Sequence, residues 1–205
     1  MRPTLTEADK QRIEAAVAAL ETRTSAELAV VVAQRSHDYA AYPFVWAAAA
    51  ALLAGTLLAV ILPHALPIEV VLLEGGVFAA VHLALHFTPL GLALTPARVK
   101  RTNARRLAAA EFASLVAQRT TDRAGLLLFV SLAEHHVEIL ADRRIDENVG
   151  REQWPTIVER FRAASGPSLA DRLIAAIDAC ADILARALPP SPDQRNEIPD
   201  ALKEL

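Results

Sequence analysis

A single cysteine, Cys180, occurs among the 205 residues of this chain. It excludes an intramolecular disulfide and any zinc site built on paired cysteines. Glycine is scarce as well: there are 7, none in a glycine-rich loop, which removes the usual phosphate-cradling motifs. A basic excess is lacking too. With 21 Lys and Arg against 24 Asp and Glu, the net charge is −3 and the pI is near 6.1. That is not the balance of a generic nucleic-acid binder, and no nucleic-acid partner is expected. Aromatics make up only 5%, so the 53% hydrophobic content comes mostly from Ala, Leu and Val. A mean hydropathy of +0.27 is high for a purely water-soluble domain and low for a polytopic carrier. A mixture of membrane and aqueous parts is expected. The stretch Met1 to Thr24 is charged and has no apolar core, so it does not read as a secretory signal.

What the chain does contain begins with a helix pattern. Thr6 and Asp9 have capping-box spacing, with the shorter Asp in place of Glu. Ile13, Val17 and Leu20 follow at helical spacing, predicting a helix over about Thr6 to Thr22. Glu27 to Ala33 is a short Val-rich apolar run bounded by polar residues, which predicts a buried strand.

Phe44 to Leu62 then carries no charged residue. Its length matches a hydrocarbon core of about 30 Å at about 1.5 Å per residue. Pro63-His64-Ala65-Leu66-Pro67 breaks it, and a second apolar stretch runs from Ile68 to about Leu94, holding Glu69, Glu74, His82 and His86. The linker is short enough for a tight turn only, so the two stretches read as a transmembrane hairpin within residues 39–97. The alternative is one spanning helix plus a buried soluble one. Arg35 precedes the pair, Arg98, Lys100, Arg101, Arg105 and Arg106 follow it, and the linker has no Lys or Arg. By the positive-inside rule both termini face the cytoplasm. Tyr39, Tyr42 and Trp46 stand where an interfacial aromatic belt would be.

Beyond the hairpin a soluble pattern resumes. A helix is expected over Val99 to Arg119, a fully apolar strand over Gly125 to Ser131, a turn over Ala133 to His136, and a half-buried strand over Val137 to Ala141. A helix from Trp154 to Ala164 ends at Gly166-Pro167. Ser168 with Asp171 caps a last helix reaching about Leu188, and the tail 191–205 is polar. The element order predicts an α/β domain, formed by residues 1–38 and 98–190 and interrupted once by the hairpin. Neither flank alone has enough sheet to close a core.

Four stretches, taken with Trp154, carry a resemblance to a known family: Thr24-Ser25-Ala26-Glu27-Leu28, Arg123 to Ser131, Val137 to Asp142, and Asn196-Glu197-Ile198-Pro199-Asp200. In order and spacing they resemble the TPM domain family, in its short bacterial membrane branch with two apolar segments inserted after the first strand. The resemblance implies a three-layer α/β/α sandwich. It also implies a multi-pass protein of the bacterial cytoplasmic (inner) membrane. Roles across the family are diverse: acid phosphatase activity in plastid members, photosystem repair, receptor modulation in animals, and divalent-cation binding in some. Two positions depart from the pattern. Ala26 stands where the family has Gly, and Arg143-Arg144 follows Asp142 where a Gly near the turn is usual. Both departures weaken a ligand or metal site that depends on close backbone approach.

If the first two strands are parallel and the third antiparallel, Glu27, Asp122, Arg123 and Asp142 fall on one edge of the sheet, the edge away from the membrane. An ion-pair network ranks first for this group, and Asp142→Ala would then cost roughly 0–1 kcal/mol as an exposed pair. A metal site ranks second, with Glu27, Asp122 and Asp142 as oxygen ligands for Ca²⁺ or Mg²⁺. Catalysis ranks last, and no catalytic or cofactor-binding residue is assigned. His135 and His136, adjacent in the turn, are expected to point opposite ways. Glu74, His82 and His86 share a spanning helix. Ionisable groups there suggest function, but packing or oligomerisation ranks ahead of proton transfer, with Gly75-Gly76 favouring close helix approach. Ser36 and Ser131 have no His–acid arrangement, and Cys180 reads as a buried small hydrophobe. The functional expectation is a membrane-anchored interaction or accessory module. Its partners would be the lipid bilayer and a membrane or membrane-associated protein. No resident cofactor is expected apart from a possible divalent cation. A metal-assisted phosphatase on the acidic edge is the alternative, and a small transporter subunit ranks third.

Overall fold

The computed structural model describes residues 5–117, 124–163, 168–190 and 201–205. The chain divides into two units. One comprises residues up to Ser36 and from Thr102 onward, and the other His37–Arg101.

In the first unit, helix α1 (Glu7–Glu21) starts at a complete capping box. The Asp9 amide donates to the Thr6 hydroxyl at 3.1 Å, and the Thr6 amide donates to the Asp9 carboxylate at 3.1 Å. Two of the helix's orphan donors are thereby satisfied. Ile13, Val17 and Leu20 form its buried stripe. Strand β1 (Glu27–Ala33) is buried at every position. Its valines suit the pleated backbone, and both of its faces are covered. Strand β2 (Gly125–Ser131) runs parallel to β1, with Glu27 opposite Gly125 and Ala33 opposite Ser131. Strand β3 (His136–Ala141) returns antiparallel on the far side of β2. The turn between them is possible because His135 adopts a left-handed backbone, φ 50°.

Helices α6 (Arg143–Val149), α7 (Trp154–Ala163) and α8 (Leu169–Ala187) also belong to this unit. The last is capped by Ser168 and Asp171. A two-residue strand, β4 (Lys203–Glu204), adds parallel to β1, giving the sheet order β3-β2-β1-β4. Lys203 pairs with Glu111 at 2.6 Å and Glu204 with Lys10 at 2.9 Å.

Strand alternation sorts the core into two groups. Leu28, Val30, Val32, Leu126, Leu128 and Val130 pack with the apolar stripes of α1, α7 and α8. Ala29, Val31, Ala33, Leu127 and Phe129 pack instead with Ala104, Ala108 and Val116. The first two of these lie on α5 (Ala97–Phe112), which passes into a π-helical turn over Ala113–Ala117. Small alanines on α5 let its backbone sit close to the sheet. Each fully buried Leu, Val or Phe side chain contributes about 1.5–3 kcal/mol relative to exposure. α1 and α8 are also tied by Arg12–Asp171 at 2.6 Å and Arg23–Asp182 at 2.7 Å.

The second unit is built on α2 (Ala41–Ile61) and α3 (Pro67–Phe87), of 21 residues each. At about 1.5 Å per residue each is about 31 Å long. Both are long and apolar enough to cross a membrane. α2 presents Ala47, Ala51 and Gly55, four residues apart and all buried. A Cβ at Gly55 would collide with the Glu74 carboxyl of α3. Gly75 and Gly76, expected to mediate close approach, have nothing within 4 Å of a built Cβ; the glycine in the helix–helix contact is Gly55. A short helix, α4 (Leu90–Ala93), follows, and Gly91 lies against the Leu85 carbonyl.

Elements without a counterpart in the sequence pattern include α6 and β4. α6 buries only Ile145, so it has no periodicity to read. β4 is two polar residues long, held by its backbone pairing with β1 and by its two ion pairs.

Candidate functional site

At the edge where β1 and β2 begin, Glu27, Gly125 and Asp142 form one row across three chain segments. Glu27 lies opposite Gly125, and the Asp142 amide donates to the Gly125 carbonyl at 3.0 Å. Glu27 and Asp142 are thus two strand spacings apart, roughly 10 Å between backbones. Glu27 is almost wholly buried, at 1% exposure. Asp122 and Arg123, the other two members expected here, lie outside the described residues.

Asp142 has a structural task that the sequence reading did not assign. Its Oδ2 accepts from the Gly125 amide at 2.9 Å, continuing the β2–β3 ladder with a side-chain acceptor. Its Oδ1 accepts from the Ile145 amide at 3.0 Å, capping α6. The expected cost of 0–1 kcal/mol for Asp142→Ala is therefore corrected upward, because two backbone donors depend on this carboxylate. Arg143 and Arg144, which stand where the resembled family has a glycine turn, instead open the helix that Asp142 caps. Arg143 pairs with Glu147 at 2.7 Å. Among the described residues, no three His, Cys, Asp or Glu side chains converge as a metal-binding group.

At the opposite end of β2 a second polar cluster forms. The Ser36 hydroxyl donates to Ser131 Oγ at 2.7 Å, the Ser131 hydroxyl donates to Glu134, and the Ser36 amide donates to Glu134 Oε1 at 3.0 Å. This staple ties the exit of β1 to the β2–β3 turn. His136, 7% exposed, contacts Glu138 at 2.9 Å through Nε2. His135 and His136 both border one cleft, together with Arg162 and Arg172. His135, in a left-handed backbone conformation, is exposed, whereas the neighbouring His136 is buried. The two arginines escaped the sequence reading. Their signal, a cation on each of two successive helices, needs the tertiary fold to acquire a location.

In the hairpin, three polar side chains are satisfied close to home. The Leu66 amide donates to Glu69 at 3.0 Å at the start of α3, and Thr56 and Thr88 donate to carbonyls four residues back. His82 stacks on Phe78 at 5.7 Å and adjoins His86 at 5.8 Å. Its Nδ1 is buried with no hydrogen-bond partner. Cys180 is buried on α8, and desolvation pushes its thiol up to about 12. A thiol so far above neutrality is not a nucleophile at physiological pH.

No family model matches this chain, and no curated protein matches it. Among solved structures it is similar to the NMR structure of the BA42 protein from the psychrophilic bacterium Bizionia argentinensis sp. nov., with a TM-score of 0.61 and 15% identity over 98% of this chain and 95% of that one. At that identity the likeness speaks for the fold alone.

Proposed function

We propose that this chain is a membrane-anchored α/β module, with α2 and α3 forming a transmembrane hairpin and both termini in the cytoplasm. The observation that carries the reading is where apolar surface is left uncovered. Among the described residues, every exposed large hydrophobic side chain except Leu205 lies between Phe44 and Leu94. A water-soluble protein does not leave a contiguous apolar surface of this kind bare. A hydrocarbon solvent would cover it, and the internally bonded Thr56 and Thr88 hydroxyls suit that solvent. The orientation follows from Arg35 and the Arg98–Arg106 cluster at the open ends and the Lys- and Arg-free linker.

The water-facing part would be a three-layer α/β/α sandwich of the TPM type in the bacterial inner membrane. The two core groups flanking the sheet support the layering. Its role would be that of an interaction or accessory module for a membrane protein, rather than an enzyme. The structural duties of Asp142 favour this over the acidic-edge phosphatase, since both carboxylate oxygens already accept backbone donors.

Topology is tested by cysteine labelling. A cysteine at His64 should react with an impermeant reagent on intact cells and one at Gln194 should not; the reverse pattern overturns the orientation. The accessory role predicts that the chain extracted from native membranes in mild detergent migrates within a larger assembly. Migration as a lone protomer refutes it.

A further inference from the structure

The cleft at the β2–β3 turn has a composition that points to a ligand. It occupies about 310 Å³, at the small end of the range of about 300–1,000 Å³ for small-molecule pockets. Its apolar walls are Val130, Leu132, Val137, Phe161 and Leu169. Its other lining residues are Arg162, Arg172, His135, His136 and Ser131, and none of the described residues that line it is an Asp or Glu.

The two acids of the adjoining turn and strand, Glu134 and Glu138, are engaged. Glu134 is held by Ser131 and Ser36, which also occupies the Ser131 hydroxyl, and Glu138 by His136 and Arg105. Arg172 sits with its guanidinium carbon 5.0 Å from the centre of the Phe161 ring. That stack fixes the plane of the group. Its Nε is buried and has no hydrogen-bond partner, and a buried donor without an acceptor is costly to maintain. Arg162 spends one N–H on the Val137 carbonyl, at a long 3.4 Å, and keeps its remaining donors.

Two guanidinium groups with spare donors, one held in plane, above an apolar floor, match an oxyanion on a compact apolar body. We infer that this cleft binds a small molecule bearing a phosphate or carboxylate group, with Arg172 and Arg162 clasping the oxyanion and the Val130–Val137–Phe161 wall holding the apolar part. The same oxyanion chemistry could be supplied by a soluble metabolite or by a lipid headgroup.

The test uses the full chain in non-ionic detergent, titrated by calorimetry with phenyl phosphate and separately with a short-chain phosphatidic acid. Benzyl alcohol, and chloride at matched ionic strength, serve as controls. Saturable binding of phenyl phosphate supports a soluble ligand, and binding of the lipid alone identifies a headgroup as the source. Arg162→Gln, at an exposed position, and Arg172→Met, which keeps a side chain over Phe161, should each weaken binding about tenfold or more. Arg162→Gln serves as the check if Arg172→Met does not fold. No saturable binding of either probe, binding matched by benzyl alcohol, or affinity unchanged in a folded arginine variant would overturn the inference.

Discussion

Replacing Asp142 by alanine removes two acceptors in one step. The N-cap to Ile145, 3.0 Å long, is lost, and so is the 2.9 Å bond from the Gly125 amide. Loss of an N-cap costs about 1 kcal/mol, within a range of about 0.5–2. The Gly125 amide sits at a buried position one residue before the first β2–β3 pair, Leu126 with Ala141, and an orphaned buried donor costs about 1–3 kcal/mol. The sum is about 2–4 kcal/mol, a large share of the stability of an ordinary domain. Asparagine separates the two contributions. Its carbonyl oxygen can serve one of the donors, while its amide faces the other with a clash of N–H groups. Asp142→Asn should therefore cost about 1–2 kcal/mol, clearly less than alanine. The assay is urea unfolding of the full chain in detergent, followed by fluorescence in a Trp46→Phe background. Trp154, 6% exposed, then reports on the first unit alone. An alanine variant within about 0.5 kcal/mol of the parent would refute the double-acceptor account, as would an asparagine variant no better than alanine.

Two other outcomes are expected. Asp171 is held below the ordinary carboxylate range by Arg12 and Ser168, and Asp9 by its bonds to Thr6. Carboxyl groups depressed in the folded state add stability that is complete above their unfolded value, about pH 3.9, and is lost as pH falls through the folded values. Acid titration should thus destabilise the α1–α8 contact below about pH 4, and an Asp171→Asn variant should show a shallower loss there; identical acid limbs would contradict this. In the hairpin unit, Gly91→Ala should lower the thermal midpoint of the detergent-solubilised chain, because the new Cβ meets the rigid Leu85 carbonyl and, at 3.1 Å, Pro43 Cγ. Gly76→Ala, at an open position, should leave it unchanged.

Much of the molecule was readable in the chain because the causes are local. Thr6 and Asp9, and Ser168 and Asp171, cap their helices through contacts three residues apart, so spacing alone predicts them. The Val-rich and Leu-rich runs of β1 and β2 identify themselves because both strand faces are covered. The charge-free stretch from Phe44 and the broken one after Pro67 declare two long apolar helices by length and composition.

What the sequence could not settle depends on partners far apart along the chain. β4 is two polar residues long and exists because the backbone of β1 offers it an open edge. Asp142 reads as one more acid at a strand end. It becomes a ladder acceptor only because the antiparallel return of β3 brings it to Gly125, 17 positions earlier. Gly55 and Gly75 are indistinguishable as letters, and only the packing of α2 on α3 puts the Glu74 carboxyl against the first and open space against the second. Likewise His135, Arg162 and Arg172 come from a turn and two helices with no common period. Periodicity reports which face of one element is buried, whereas a site assembled from several elements is set by how their faces meet.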